Sequence, residues 1–248
     1  MPSKIHFGTN TKRDLDRQSH LNLVQSAIEL SAEYPEVQFF VLPPAPLLAE
    51  LKAKADGSSV RIGSQMVTYT SGFNVTGEIS ARLLKEVGSE LVMVGHAERR
   101  AQGEDGPIVD KQLRMLTDYQ LPTLLCVGED EKIDDANTRL KVFKEQLQGL
   151  ANIPKYPLIV AYEPVWSIGD GGEAAAPEYV VAAIKQIKGQ LIGLNRGSTP
   201  VLYGGSVSEE NAPAYAHICD GLFVGRAAWN EGGFRRVFES GYKKIIKK

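Results

Sequence analysis

The feature that most limits how this chain can fold is a repeated pattern of residue character. Eight short runs rich in Val, Ile, Leu and Phe, at residues 5–8, 37–42, 60–62, 91–94, 122–127, 158–162, 201–203 and 221–224, are each followed by a turn and a longer amphipathic stretch. Several of these runs are almost continuously apolar, as strands are when a parallel sheet is covered on both faces. The intervening stretches carry helical spacing. Residues 21–33 place Leu23, Val24, Ala27, Ile28 and Leu30 on roughly one face, and the helix should stop before Tyr34-Pro35, because a residue preceding proline is pushed out of the helical region. Residues 179–194 repeat the spacing with Val180, Ala183, Ile184, Ile187 and Leu191. Ser208-Glu209-Glu210-Asn211 reads as a helix start with acidic residues in the first turn. Eight strand–helix alternations in 248 residues fit one closed α/β barrel over residues 1–248, with an open doubly wound sheet as the alternative.

Composition narrows the function. A net charge of −2 supplies no general field for nucleic acid or an anionic membrane, so charge for an anionic ligand must be local. Two cysteines, Cys126 and Cys219, are too few for a disulfide framework and fit a reducing compartment. The opening MPSKIHFGTN has no apolar signal region, and no apolar run approaches the roughly 20 residues needed to span a bilayer. A cytoplasmic protein is expected.

In a parallel barrel, reactive groups belong just after the strands, at the C-terminal mouth. The chemically interesting residues fall there: Asn10 and Lys12 after the first strand, His96 and Glu98 after the fourth, Glu163 after the sixth, Gly204, Gly205 and Ser206 after the seventh, and Gly225 after the eighth. Glu163, in Ala161-Tyr162-Glu163-Pro164-Val165-Trp166, is either a surface carboxylate at a strand end or a general base aimed across the mouth. His96, one of four histidines, is either structural or an electrophile kept neutral by a helix N-terminus. Glu98 and Arg99 read equally well as a structural ion pair. Lys12 could bind a phosphate and steady a developing enediolate. Ile168-Gly169-Asp170-Gly171-Gly172-Glu173-Ala174 could be a plain turn or a lid that excludes water. Glycines after the seventh and eighth strands fit a phosphate site, since bare backbone N–H groups can approach an anion.

Taken together, these motifs resemble the triosephosphate isomerase family over essentially the whole chain, from Asn10-Thr11-Lys12 through Thr76-Gly77-Glu78-Ile79-Ser80, Gly95-His96-Ala97-Glu98-Arg99-Arg100 and Cys126-Val127-Gly128-Glu129 to Tyr203-Gly204-Gly205-Ser206-Val207. The resemblance implies a single (β/α)8 TIM barrel and that family's chemistry, a glutamate base with a neutral histidine electrophile. On that pattern Glu163 shuttles a proton between adjacent carbons and His96 moves one between their oxygens. Lys12 and Asn10 sit beside the substrate oxygens. Gly169, Ser206, Gly225 and Arg226 hold the phosphate, and Glu98 and Tyr203 support the site. The resemblance implies no metal and no cofactor, a small phosphorylated sugar as substrate, and a homodimer whose loop near Thr76 enters the partner subunit beside Asn10.

The departures from the family pattern are specific. Thr11 stands where tryptophan is usual, and Ala97 where serine follows the histidine. The lid sequence is rewritten and one residue longer, and Arg226 replaces the second glycine of the last motif. Because these changes concentrate in the lid and phosphate site, a tetrulose phosphate (L-erythrulose 1-phosphate to D-erythrulose 4-phosphate) is the expected substrate. The alternatives are triose-phosphate isomerisation proper and a non-catalytic binding barrel.

Overall fold

A computed structural model describes residues 5–72, 74–168 and 172–246 of the 248. Strands and helices alternate as β1 (Ile5–Asn10), α1 (Arg17–Glu33), β2 (Val37–Leu42), α2 (Leu48–Lys54), β3 (Arg61–Ile62), α3 (Ala81–Glu86) and β4 (Val92–Val94). There follow α4 (Ala97–Arg100), α5 (Gly106–Asp118), β5 (Thr123–Val127), α6 (Ala136–Leu147), β6 (Leu158–Tyr162) and α7 (Pro177–Gly193). The chain finishes with β7 (Val201–Tyr203), α8 (Ala212–Tyr215), β8 (Gly221–Val224) and α9 (Gly233–Ile246). All eight strands lie where the apolar runs predict them.

Three local expectations need correction. Asn10 is the last residue of β1, not a loop residue beyond it. Helix α1 starts at Arg17, four residues before the apolar spacing begins, because the Asp16 carboxylate accepts the Ser19 N–H at 3.0 Å and caps the free donors there. Ser208 does not start a helix. The Asn211 side chain folds back onto it, Oδ1 accepting the Ser208 N–H at 2.7 Å, and α8 begins at Ala212.

The strands pair in parallel in the order β3-β2-β1-β8-β7-β6-β5-β4. The two end strands meet through a single parallel bridge between Ser64 and Val92. There the Ser64 N–H donates to Leu91 O at 2.8 Å and the Met93 N–H to Ser64 O at 2.9 Å, which closes the cylinder. The closed barrel, and not the open doubly wound sheet, is the fold.

Alternation along each strand sorts side chains into two cores. Phe40, Leu42, Leu124, Cys126, Ile159, Ala161, Leu202 and Phe223 point inward and fill the barrel. Their neighbours Phe39, Val41, Leu125, Val127, Val160 and Tyr162 point outward against the helices. The interior tolerates the Phe40–Phe223 stack, with centroids 5.7 Å apart, because Gly8 pairs with Phe40; a Cβ on Gly8 would lie 2.4 Å from that ring. Outside, α9 returns the end of the chain to its beginning. Phe234 and Phe238, spaced for one helix face, meet Phe7 edge-on at 5.0 and 5.2 Å, and Phe238 meets Phe39 at 4.9 Å. Truncating a ring in such a core costs roughly 3–5 kcal/mol, so this cluster anchors β1, and with it the first loop of the mouth.

Candidate active site

The ends of β1, β4, β6, β7 and β8 deliver the groups that line the mouth. Asn10, closing β1, is buried, and its Oδ1 accepts the Lys12 N–H at 2.9 Å. Lys12 itself has φ +51°, a left-handed conformation that a non-glycine residue keeps only when its surroundings impose it. Gln65 imposes part of it, donating from Nε2 to the carbonyls of Lys12 at 2.8 Å and Leu42 at 2.9 Å. The Lys12 ammonium forms a close ion pair with Glu98 on α4. Glu98 is therefore taken by Lys12. Arg99 pairs instead with Glu104, its Nε donating at 2.9 Å, so the two neighbours do not pair with each other.

His96 follows β4 and is the N-cap of α4. The Glu98 N–H donates to His96 Nδ1 at 3.2 Å. A nitrogen that accepts carries no proton, so in the neutral ring the proton sits on Nε2, the nitrogen facing the cavity. Gly95, at φ +71°, makes the turn into the histidine; a Cβ there would lie 2.9 Å from Cys126 O.

Glu163 leaves β6 with its N–H bonded to Val127 O at 2.8 Å. Its buried Oε1 stands 3.7 Å from His96 Nε2. Its Oε2 is buried and accepts no hydrogen bond among the described residues. That leaves Oε2 without a fixed donor and open to a proton from a ligand in the cavity. The packing around it requires two glycines. A Cβ on Gly128 would fall 1.9 Å from Glu163 O, and one on Gly204 would fall 2.9 Å from Glu163 Cγ. The Cys126 thiol beneath is pushed well above the usual thiol range, first by burial and then by the Glu163 charge, so it stays neutral. Desolvation lowers the Arg100 guanidinium below its usual range, and Arg100 binds Gly95 O through Nε at 2.7 Å.

The turn after Glu163, Val165–Ser167, is fixed from below by Glu129. Glu129 Oε1 accepts from Tyr162 Oη at 2.9 Å, Tyr179 Oη at 2.7 Å and Trp166 Nε1 at 3.2 Å. Burial, followed by the Glu129 carboxylate, raises the phenol pKa of both tyrosines, so both remain donors. The remaining wall comes from β7 and β8. Ser206 Oγ donates to Ser167 O, and Tyr203 packs on Tyr215 with centroids 4.4 Å apart. Burial, then the neighbouring Tyr215, raises the Tyr203 phenol.

Asn10, Lys12, His96, Glu163, Ser206, Gly225 and Arg226 all line one cavity of about 400 Å³, together with Ile168, Gly172, Asn211 and Phe223. Gly169 lies outside the described residues. Residues that sequence reasoning left without a role are Gln65, Glu129, Trp229, whose Nε1 donates to Asn10 O at 3.2 Å, and Phe223. Only Glu129 carried a signal, since it sits in a motif of the family resemblance. Among the described residues no group of three or more His, Cys, Asp or Glu side chains could hold a metal ion, and no helix is long and apolar enough to cross a membrane.

An eight-stranded parallel barrel with a carboxylate, an imidazole and an ammonium converging on one cavity at its C-terminal mouth defines a class of barrel enzymes that do proton-transfer chemistry. The sequence profile of the triosephosphate isomerase family matches residues 6–241. A triosephosphate isomerase of Lawsonia intracellularis is 31% identical over 97% of this chain and 100% of its own length. One of Acaryochloris marina is 35% identical over 94% and 98%. An L-erythrulose-1-phosphate isomerase of Brucella melitensis is 35% identical over 81% of each chain. The chain belongs to the triosephosphate isomerase family and is an isomerase of that family.

Proposed function

We propose that this isomerase moves a carbonyl between adjacent carbons of a small phosphorylated sugar through an enediolate, and that its preferred substrate is a tetrulose phosphate. Glu163 takes a proton from one carbon and returns it to the next. His96, with its proton on Nε2, donates to the carbonyl oxygen as charge develops there. Lys12, oriented by Glu98 and Asn10, offsets that charge. Ser206, the backbone at Gly225 and Gly169, and Arg226 hold the phosphate, with Tyr203 as support. The carrying observation is the convergence of His96 Nε2 and Glu163 Oε1, 3.7 Å apart, on the cavity that Lys12 also lines.

The tetrulose reading is supported by Arg226 on the cavity wall, beside Gly225 and facing the same space as Ser206. An arginine there can bind phosphate with two parallel hydrogen bonds and draw a longer substrate into register. The triose reading is favoured by the near-complete length over which the two triosephosphate isomerases align. The reading takes residues 1–248 as one barrel domain, working as a cytoplasmic homodimer without a cofactor.

Assaying the purified protein on L-erythrulose 1-phosphate and glyceraldehyde 3-phosphate side by side tests it. A higher kcat/KM on the tetrulose is expected. The reverse order would make this a triose enzyme, and turnover of neither would leave a binding barrel.

A further inference from the structure

Thr11 occupies the position between Asn10 and Lys12 where an aromatic residue is usual in the family, and it is fully buried. Its hydroxyl lies 2.8 Å from Nε2 of His20, a residue of α1 that is equally buried. The other ring nitrogen, His20 Nδ1, lies 2.8 Å from the Asp16 carbonyl oxygen. A carbonyl can only accept, so Nδ1 carries the proton, and in the neutral ring Nε2 must accept from Thr11. The Thr11 hydroxyl has one proton to give. The competing acceptor, Leu42 O, is farther at 3.2 Å and already takes the Thr11 N–H and Gln65 Nε2. The hydroxyl therefore ties the first loop of the mouth to the first turn of α1, one residue before the strained Lys12.

We propose that the Thr11–His20 hydrogen bond is a positioning latch that holds Lys12 in its left-handed conformation and so sets the reach of its ammonium into the cavity. This rests on reading Lys12 as a substrate-binding group. A left-handed non-glycine backbone persists only when neighbours over-determine it. Gln65 restrains the Lys12 carbonyl and Asn10 its N–H, and Thr11 fixes the preceding peptide. Thr11 and His20 touch no substrate and act through Lys12.

The test compares T11V, which keeps the shape and removes the hydroxyl, with T11S, which keeps the hydroxyl, on both phosphosugars. The latch requires T11V to lower kcat/KM by about tenfold, mainly through KM, as loss of one well-placed hydrogen bond to a charged group would. T11S should stay within about twofold of the parent, a spread smaller than one neutral hydrogen bond. T11V combined with H20L should be no worse than either alone. A lowered Tm in T11V with KM unchanged would mean the bond is only structural and overturns the latch. If T11V does not fold, H20L alone carries the same KM test. K12M serves as the control. Loss of activity in K12M with an unchanged T11V sinks the latch alone, whereas full activity in K12M sinks the reading of Lys12 and the latch with it.

Discussion

The two sides of the mouth are built differently. On the β4–β6 side, Glu163, His96, Glu129 and Tyr162 are buried and held by named bonds: Val127 O to the Glu163 N–H, the Glu98 N–H to His96, and Glu129 to Tyr162, with Trp166 and Tyr179 half-buried around it. On the β7–β8 side, Ser206 and Gly225 are half-buried and Arg226 is exposed. On the proposed mechanism the contrast separates two tasks. Proton transfer, which needs atoms fixed to a fraction of an ångström, falls to the side where packing is tightest. Choice of substrate needs only a complementary wall, so it can be rewritten on exposed positions at little cost to the fold.

The largest effect should come from E163D. Retracting the carboxylate by one methylene leaves the fold intact but misplaces the base by about an ångström, so kcat should fall on the order of 100-fold or more on any substrate. A rate within a few-fold of the parent would remove Glu163 from the chemistry and collapse the contrast. Next is E129Q. The amide oxygen can still receive Tyr162, Tyr179 and Trp166, but its NH2 then points into the buried space of the unpartnered Oε2. Leaving a buried donor unsatisfied costs roughly 1–3 kcal/mol, so Tm and kcat should fall together while the ratio of the two substrates stays fixed. A changed ratio would show that the buried side also selects. The smallest effect is expected of R226G, which should shift the tetrulose-to-triose preference by about tenfold, the worth of one charge-assisted hydrogen bond, with Tm unmoved. A fall in kcat on both substrates as large as that of E163D would erase the division between the two sides.

The fold was legible because a parallel barrel writes itself as local apolar runs, and all eight are visible. The candidate groups of the mouth were placeable for a related reason: His96 and Glu163 lie two and one residues past a run, and Lys12 and Glu98 four past one, so the strand ends alone brought them to the mouth. What local sequence does not encode is which distant residue supports them. Gln65 reaches Lys12 across 53 positions, Trp229 reaches Asn10 across 219, and Glu129 reaches Tyr179 across 50. Such contacts exist only once the neighbouring strands have paired and brought their ends together. The early start of α1 was missed because Arg17 and Gln18 carry no apolar signal, and it was the Asp16 cap, not periodicity, that set the boundary. Asn211 was read as part of a helix start when its side chain in fact builds the preceding turn.

The closure of the barrel at one bridge has a consequence of its own. Between β3 and β4 the join is one bridge, Ser64 with Val92, and the Glu90 N–H bond to Ile62 O, where β1 and β2 pair over six residues. Local opening of a sheet costs least where the fewest bonds must break, so the amides of Ser64 and Met93 should exchange with solvent faster than those at the centre of β1 or β5. The Lys12–Glu98 ion pair spans this same join, linking the loop after β1 to α4, while Gln65, just beyond β3, fastens its own side of the join to Lys12 and Leu42. A sugar phosphate gripped between Lys12 and His96 would clasp the join from above. Substrate binding and mechanical integrity then share one fastening, and an occupied site is also the harder barrel to open.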